Sequence, residues 1–428
     1  MTSERMHPDH ADSMIPYFHT PAMNRLAREG MRFTSGYSPG PLCTPTRRSI
    51  QNGMTPARQR GTEFVSDGWV PAAHLTIPKA LQQANPAYVC AHFGKWGENM
   101  VSTPEECGYA ANDGMTGNAT GGAGADRFDD VVKEEDPKLI FSLTKRAKEF
   151  MGKQVAEKKP FYLQLSHYAI HRQNQALAAT KAKYDAKGPP TRQFTTTFAA
   201  MLEDLNTGLT ELLAEVDRLG IAGNTFVVLT ADNGGNQTYA GTDTTLPLNN
   251  VPLRMGKQYL YEGGIRVPFI VRGPGVKAGS VCHEPVAGYD LLPTFYDLAG
   301  GTKPLPTDID GGSFRGSLAN GDGKVKRSLP GLVFHRPYLA PLSHSSYRVG
   351  NMKLVVNWKS GEKELFDLAK DLGEANNLAS SMPDKTNAMY GELSEYLKAV
   401  KAETLAEQPA KAKAKAKAGK GKKKGVKQ

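Results

Sequence analysis

Residues 225–235 read TFVVLTADNGG, and this run constrains the fold more tightly than any other in the chain. Its apolar residues follow one another without polar alternation. That pattern predicts a strand covered on both faces, the kind found in parallel sheets. Asp232 and Asn233 end the strand, and glycines follow. Ligands of open parallel sheets bind beyond the carboxyl ends of the strands, so polar residues at such an end mark where a site belongs.

The rest of the body fits the same α/β alternation. TPAMNRLAREG (20–30) predicts a helix with Thr20 as cap, Pro21 as opener and Gly30 as stop. TIPKALQQANPAYVCAHFG (76–94) predicts a helix, a proline break and a strand. PFYLQLSH (160–167) is a strand with His167 and His171 just past its end. Met201, Leu205, Leu209, Leu212, Val216 and Leu219 form one stripe of a helix over 197–219. A strand begins at Val267, and the helix YDLLPTFYDLAG follows. YRVGNMKLVVNW and EKELFDL then read as hairpin strands before a last helix near 386–400. These signals predict an α/β fold: a large, mostly parallel sheet flanked by helices over residues 1–335, and a small C-terminal antiparallel α+β subdomain over 336–400.

The net charge of +10 is misleading, because nine lysines and no acid lie between Lys411 and Lys427. The body is therefore almost neutral. Residues 401–428 are expected to be a disordered Lys/Ala-rich tail, available for polyanion contact but lacking aromatic residues to stack on bases. No apolar run reaches the ~18 residues of a membrane span, and no apolar N-terminal export signal is visible, which leaves the compartment open. Four cysteines are too few for a disulfide scaffold, and no two lie close enough for a metal finger.

Several short segments carry chemistry. In PLCTPTRRSIQNG (41–53), Thr44 and Pro45 start a helix, which places Cys43 at or just before its N-terminus. A helix N-terminus favours an anion and lowers a thiol pKa, and Arg47 lies one turn on. Asp232 and Asn233 offer hard oxygen ligands suited to calcium or magnesium; an Asx turn is the plainer reading of the same residues. Lys257 precedes a Gly-Gly turn, and Lys95 and Trp96 lie at a strand end. His167 or His171 is a candidate general acid. Cys90, on a strand, is expected to be a small buried residue.

In this order the segments resemble the type I sulfatase (arylsulfatase) family of the alkaline-phosphatase-like superfamily. The resemblance rests on CTPTRRSIQNG, TPAMNRLAREGMRFTSGY, GKWG, TADNGGN, GKQYLYEGGIRVPFIVRGPG, YDLLPTFYDLAG and ELFDLAKDLGEANNLA, and it spans roughly residues 3–400. It implies a sulfuric ester hydrolase acting on a sulfated small molecule or sulfated carbohydrate. Cys43 would be converted to formylglycine by a formylglycine-generating enzyme. Arg47 would hold the nucleophile's oxygen, Lys95 and Lys257 the sulfate oxygens, and His171 would protonate the leaving oxygen. Asp232 and Asn233 would ligate a divalent cation, usually calcium.

Two places depart from that pattern. The family begins with a buried strand ending in two aspartates; counting back from Thr20 and Pro21, these fall on Ser3 and Glu4. Glu4 is the expected third metal ligand, and a late start or a damaged 5′ end is the expected cause of the shortfall. Gly97 stands where the family has histidine, and His92 is a possible replacement donor. A phosphodiester or phosphonate hydrolase on the same scaffold, and a degenerate non-catalytic binder of sulfated glycan, are the competing readings. The glycine-rich stretch 112–126 is read as a substrate loop or a flexible turn.

Overall fold

The computed structural model describes residues 4–63, 71–98, 100–117, 134–171, 173–338 and 343–407. Its strands are β1 (Met31–Phe33), β2 (Gly36–Tyr37), β3 (Val89–Gly94), β4 (Ala111–Asn112), β5 (Phe161–Ser166), β6 (Val227–Leu229), β7 (Ile270–Arg272), β8 (Ser280–Cys282) and β9 (Val286–Ala287). Between them run helices α1 (Pro21–Glu29), α2 (Cys43–Asn52), α3 (Ile77–Ala84), α4 (Ile140–Ala156), α5 (Ala178–Ala186), α6 (Thr196–Arg218), α7 (Glu262–Ile265) and α8 (Leu291–Leu298). An antiparallel meander follows, made of β10 (Leu332–Arg336), β11 (His344–Val349), β12 (Met352–Asn357) and β13 (Lys363–Asp367), with α9 (Pro383–Ala399) packed on it.

The α/β alternation predicted from the sequence is present, but the strands form separate sheets. β4-β3-β5 is parallel throughout, with β3 and β5 in register from Val89 opposite Phe161 to Gly94 opposite Ser166. The other body sheet runs β6-β7-β1-β8, and β7 is antiparallel to both of its neighbours. The expectation that β6 is a parallel strand is therefore corrected. Its apolar run has a different cause: Phe226 and Val228 pack into the core that holds α3 and α8, while Val227 and Leu229 pack with α1. Both faces thus find packing partners, although Val227, Val228 and Leu229 are only half-buried and line an open cavity, and packing on two faces does not dictate strand direction. Among the described residues, β5 and β6 are each the edge of their sheet.

Local chemistry explains the helices. Pro21 opens α1 and Thr20 is its N-cap residue, its carbonyl accepting from Asn24 N at 3.0 Å and its hydroxyl donating to Asn24 Oδ1 at 3.3 Å rather than accepting from a helix N–H. α6 is capped by Thr195, whose Oγ1 accepts from Phe198 N at 3.1 Å. Its Met201, Leu205 and Val216 are buried as the stripe predicts, each contributing about 1.5–3 kcal/mol. All four cysteines are free and buried, and burial pushes the Cys90 thiol up to about 12.

The antiparallel sheet starts at Leu332, four residues before the expected boundary. Val333, Tyr347, Leu354 and Leu365 meet Met389 and Leu393 of α9 in its core. Residues 401–407 are not a loose tail. Ala402 and Glu403 are buried, and the Glu403 carboxylate accepts from Thr62 N at 3.1 Å. Residues 408–428, most of 112–126 and Ser3 lie outside the described residues.

A wholly buried charge cluster joins this sheet to the body. Lys353 on β12 lies 2.8 Å from Glu262 Oε1 and 2.7 Å from Glu374 Oε1, and none of the three side chains is exposed. Arg266 and Tyr37 also donate to Glu262. Such a cluster is stable only when complete, because removing one partner strands charge in a medium that cannot solvate it. Lys353→Met should therefore cost about 3–5 kcal/mol, measured as a lower urea midpoint at constant slope.

Candidate active site

Helix α2 is unusual because every one of its ten residues is buried although only Ile50 is aliphatic. A polar helix in a core needs partners, and several of its side chains have them. Asn52 donates to Pro71 O and Leu75 O, and Gln51 donates to Gln164 Oε1 at 2.9 Å. Thr46 Oγ1 donates to Gly40 O and accepts from Gly40 N, which ties down the loop before the helix. Cys43 is the first helical residue, as the sequence predicts, and lies on the wall of an open cavity of about 1850 Å³.

The ends of β3, β5 and β6 converge on that cavity. Lys95 follows β3; its N–H donates to Ser166 O at 2.8 Å, and its carbonyl accepts from Arg47 NH1 at 2.6 Å. His167 follows β5, and Asp232 and Asn233 follow β6. Lys257 arrives on a separate loop that interlocks with the Asp232 turn. Lys257 N donates to Gly235 O, and Gly234 N donates to Gly264 O, both at 2.9 Å. Gly234 must be glycine, because a Cβ there would sit 2.0 Å from Gly263 O. Cys43, Arg47, Lys95, His167, His171, Asp232, Asn233 and Lys257 all line the one cavity.

Arg47 and Asp232 form its central contact. Arg47 Nε and NH2 donate to Asp232 Oδ2 at 3.0 and 2.7 Å. Burial alone would raise the Asp232 pKa, but the charges of Arg47, Lys95 and Lys257 prevail and hold it down at about 2. Three cations thus surround one carboxylate, an arrangement that suits an anionic ligand. Burial lowers the His167 pKa to about 4, and neither of its ring nitrogens has a hydrogen-bond partner among the described residues.

Two expectations are corrected. Glu4 is not in the site. It pairs with Arg28 of α1 at 2.9 Å and is half exposed, because the stretch 4–12 stays at the surface before Ile15, Tyr17 and Phe18 enter the core. His92 does not line the cavity either. It is buried beneath Trp96, bonded to Ser166 Oγ at 3.1 Å, and held neutral with a pKa of about 3 by burial and by the Arg47 charge. Gly97 borders Arg47, and a side chain there would press on Met100. Asn250 was not foreseen: its Nδ2 bridges Gly235 O at 2.7 Å and Met255 O at 3.1 Å, clamping the two site loops together. A lone asparagine in a loop carries no spacing signal that would mark it.

Among the described residues the donor set does not complete a calcium site. Asp232 and Asn233 Oδ1 offer three side-chain oxygens and one charge, one of those oxygens already held by Arg47, where calcium takes 6–8 oxygens. The described residues hold no cluster of three acidic, histidine or cysteine ligands.

Comparison with known proteins places this geometry. The family model described as "Sulfatase" matches residues 13–301, and one described as "N-sulphoglucosamine sulphohydrolase, C-terminal" matches 254–403. Arylsulfatase A of Homo sapiens is 29% identical over 355 residues, covering 74% of this chain and 66% of that protein. N-acetylgalactosamine-6-sulfatase of Mus musculus is 29% identical over 334 residues, covering 69% and 61%. The chain thus spans less than two thirds of the length of these relatives. The crystal structure of Ps i-CgsB superposes with a TM-score of 0.73 at 24% identity, over 89% of this chain and 87% of that one.

The depressed Asp232 pKa means that its contribution to stability is complete above the unfolded value near 4 and is lost as pH falls toward 2. Arg47→Met should raise the Asp232 pKa and move this acid limb upward, which urea midpoints measured between pH 2 and 7 will display.

Proposed function

This chain belongs to the sulfatase family, and on that premise we propose that it hydrolyses a sulfate monoester of a sulfated carbohydrate or small aromatic molecule. The single observation carrying this reading is that Cys43, at a helix N-terminus, lines the same cavity as Arg47, Lys95 and Lys257. A sulfate ester is a compact anion with three outer oxygens. A helix N-terminus and three cationic side chains complement that charge, most strongly where charge builds on the oxygens during transfer.

Formylglycine derived from Cys43 would supply a hydrated aldehyde, a nucleophile that can release its sulfate again where a serine would remain blocked. CTPTR is intact, and Cys43 borders the cavity. The other roles fall to this chain's own groups. Lys95 and Lys257 would take the sulfate oxygens. Arg47 would orient the ester while holding Asp232 ionised. His171 would give a proton to the leaving oxygen. His167, which also lines the cavity, is kept neutral above about pH 4 by burial. The family generally uses a divalent cation; here Asp232 and Asn233 are the candidate ligands, and no step above depends on one. The carbohydrate assignment is supported by the similarity to an N-acetylgalactosamine-6-sulfatase.

The test is turnover on a panel of sulfated sugars, an aryl sulfate and a phosphonate monoester. The chain is co-expressed for this with a formylglycine-generating enzyme. Sulfate release is expected, with Cys43→Ala inactive yet equally folded by circular dichroism. Mass spectrometry of the Cys43 peptide should show conversion of the thiol to the aldehyde. Turnover of the phosphonate alone would overturn the sulfatase reading.

A further inference from the structure

The loop that presents Lys257 is held at several points by the C-terminal sheet. Gln258, the next residue, has a positive φ of 86°, a conformation that side chains other than glycine rarely adopt. Both of its backbone polar groups are engaged. Its N–H donates to Pro41 O at 3.0 Å, two residues before Cys43, and its carbonyl accepts from Arg336 NH1 at 2.7 Å. Arg336 lies at the end of β10 and is buried; its guanidinium is fixed by Glu63, with Nε at 2.7 Å from Oε1 and NH2 at 3.1 Å from Oε2. Two positions further on, Leu260 N donates to His344 Nε2 of β11 at 2.7 Å. Arg254, on the near side, reaches Glu364 Oε1 of β13 at 3.0 Å.

We propose that Arg336 is a positioning residue for Lys257. By holding Gln258 in its left-handed conformation, it fixes the backbone from which the Lys257 ammonium reaches the anion-binding cavity. A flexible four-carbon side chain is aimed only as well as its backbone, and an unrestrained residue at 258 would relax to negative φ and swing the lysine away. The antiparallel sheet is thereby part of the site, although Arg336 itself does not line the cavity. This inference rests on the assignment of Lys257 to the sulfate.

Binding of inorganic sulfate to the full chain, measured by isothermal titration, tests it without requiring turnover. Lys257→Ala and Arg336→Met should each weaken sulfate binding, the latter by about tenfold. The double variant should be no weaker than Lys257→Ala alone, because Arg336 acts through Lys257. Arg336→Lys, which keeps a donor for the Gln258 carbonyl, should recover part of the loss. Additive losses in the double variant, or unchanged affinity in Arg336→Met, would overturn the proposal. Unchanged affinity in Lys257→Ala would instead remove the reading of Lys257 on which it rests. Should Arg336→Met fail to fold, the same cycle run with Arg336→Lys decides the question by additivity.

Discussion

The contact between Arg47 and Asp232 holds the site together. It links the first turn of a buried polar helix to the end of a strand 185 residues away in sequence. Each group depends on the other. Without Asp232 the nearly buried Arg47 guanidinium would need water or another anion, and without Arg47 the Asp232 carboxylate would lose much of what keeps it ionised. Paired, they bring Cys43 and Asp232 to one cavity, whose lining also carries Lys95 and Lys257. The proposed binding of an anion rests on that concentration of positive charge.

The surrounding structure serves this arrangement. Lys95 is set by a bond to the end of β5, and the Asp232 turn is set by glycines that meet glycines of the Lys257 loop. The antiparallel sheet, joined to the body through Lys353, Glu262 and Glu374, anchors that loop from behind. Two small units therefore build one site.

Elements with strong local signals were legible in the sequence. The helix over 196–218 has an unbroken apolar stripe and a threonine cap, so its existence and its buried face follow from periodicity. Cys43 at the head of α2 follows from the proline two residues later. The resemblance of CTPTR and the later segments to the sulfatase family implied Arg47, Lys95, Asp232 and Lys257 as a set. Glu4 was misplaced because counting residues from Thr20 assumes an extended strand, whereas the chain there follows the surface to Arg28.

The chain's own pattern determined its α/β class, its buried strands and helices, and the residue types available for anion chemistry, because these depend on neighbours within one turn or one strand. Strand direction in the β6 sheet, the neutrality of His92, the clamp of Asn250 and the grip of Arg336 on Gln258 were decided only by tertiary structure. Each depends on groups far apart in the chain, and no local spacing encodes the desolvation, charge and close approach that arise when they meet.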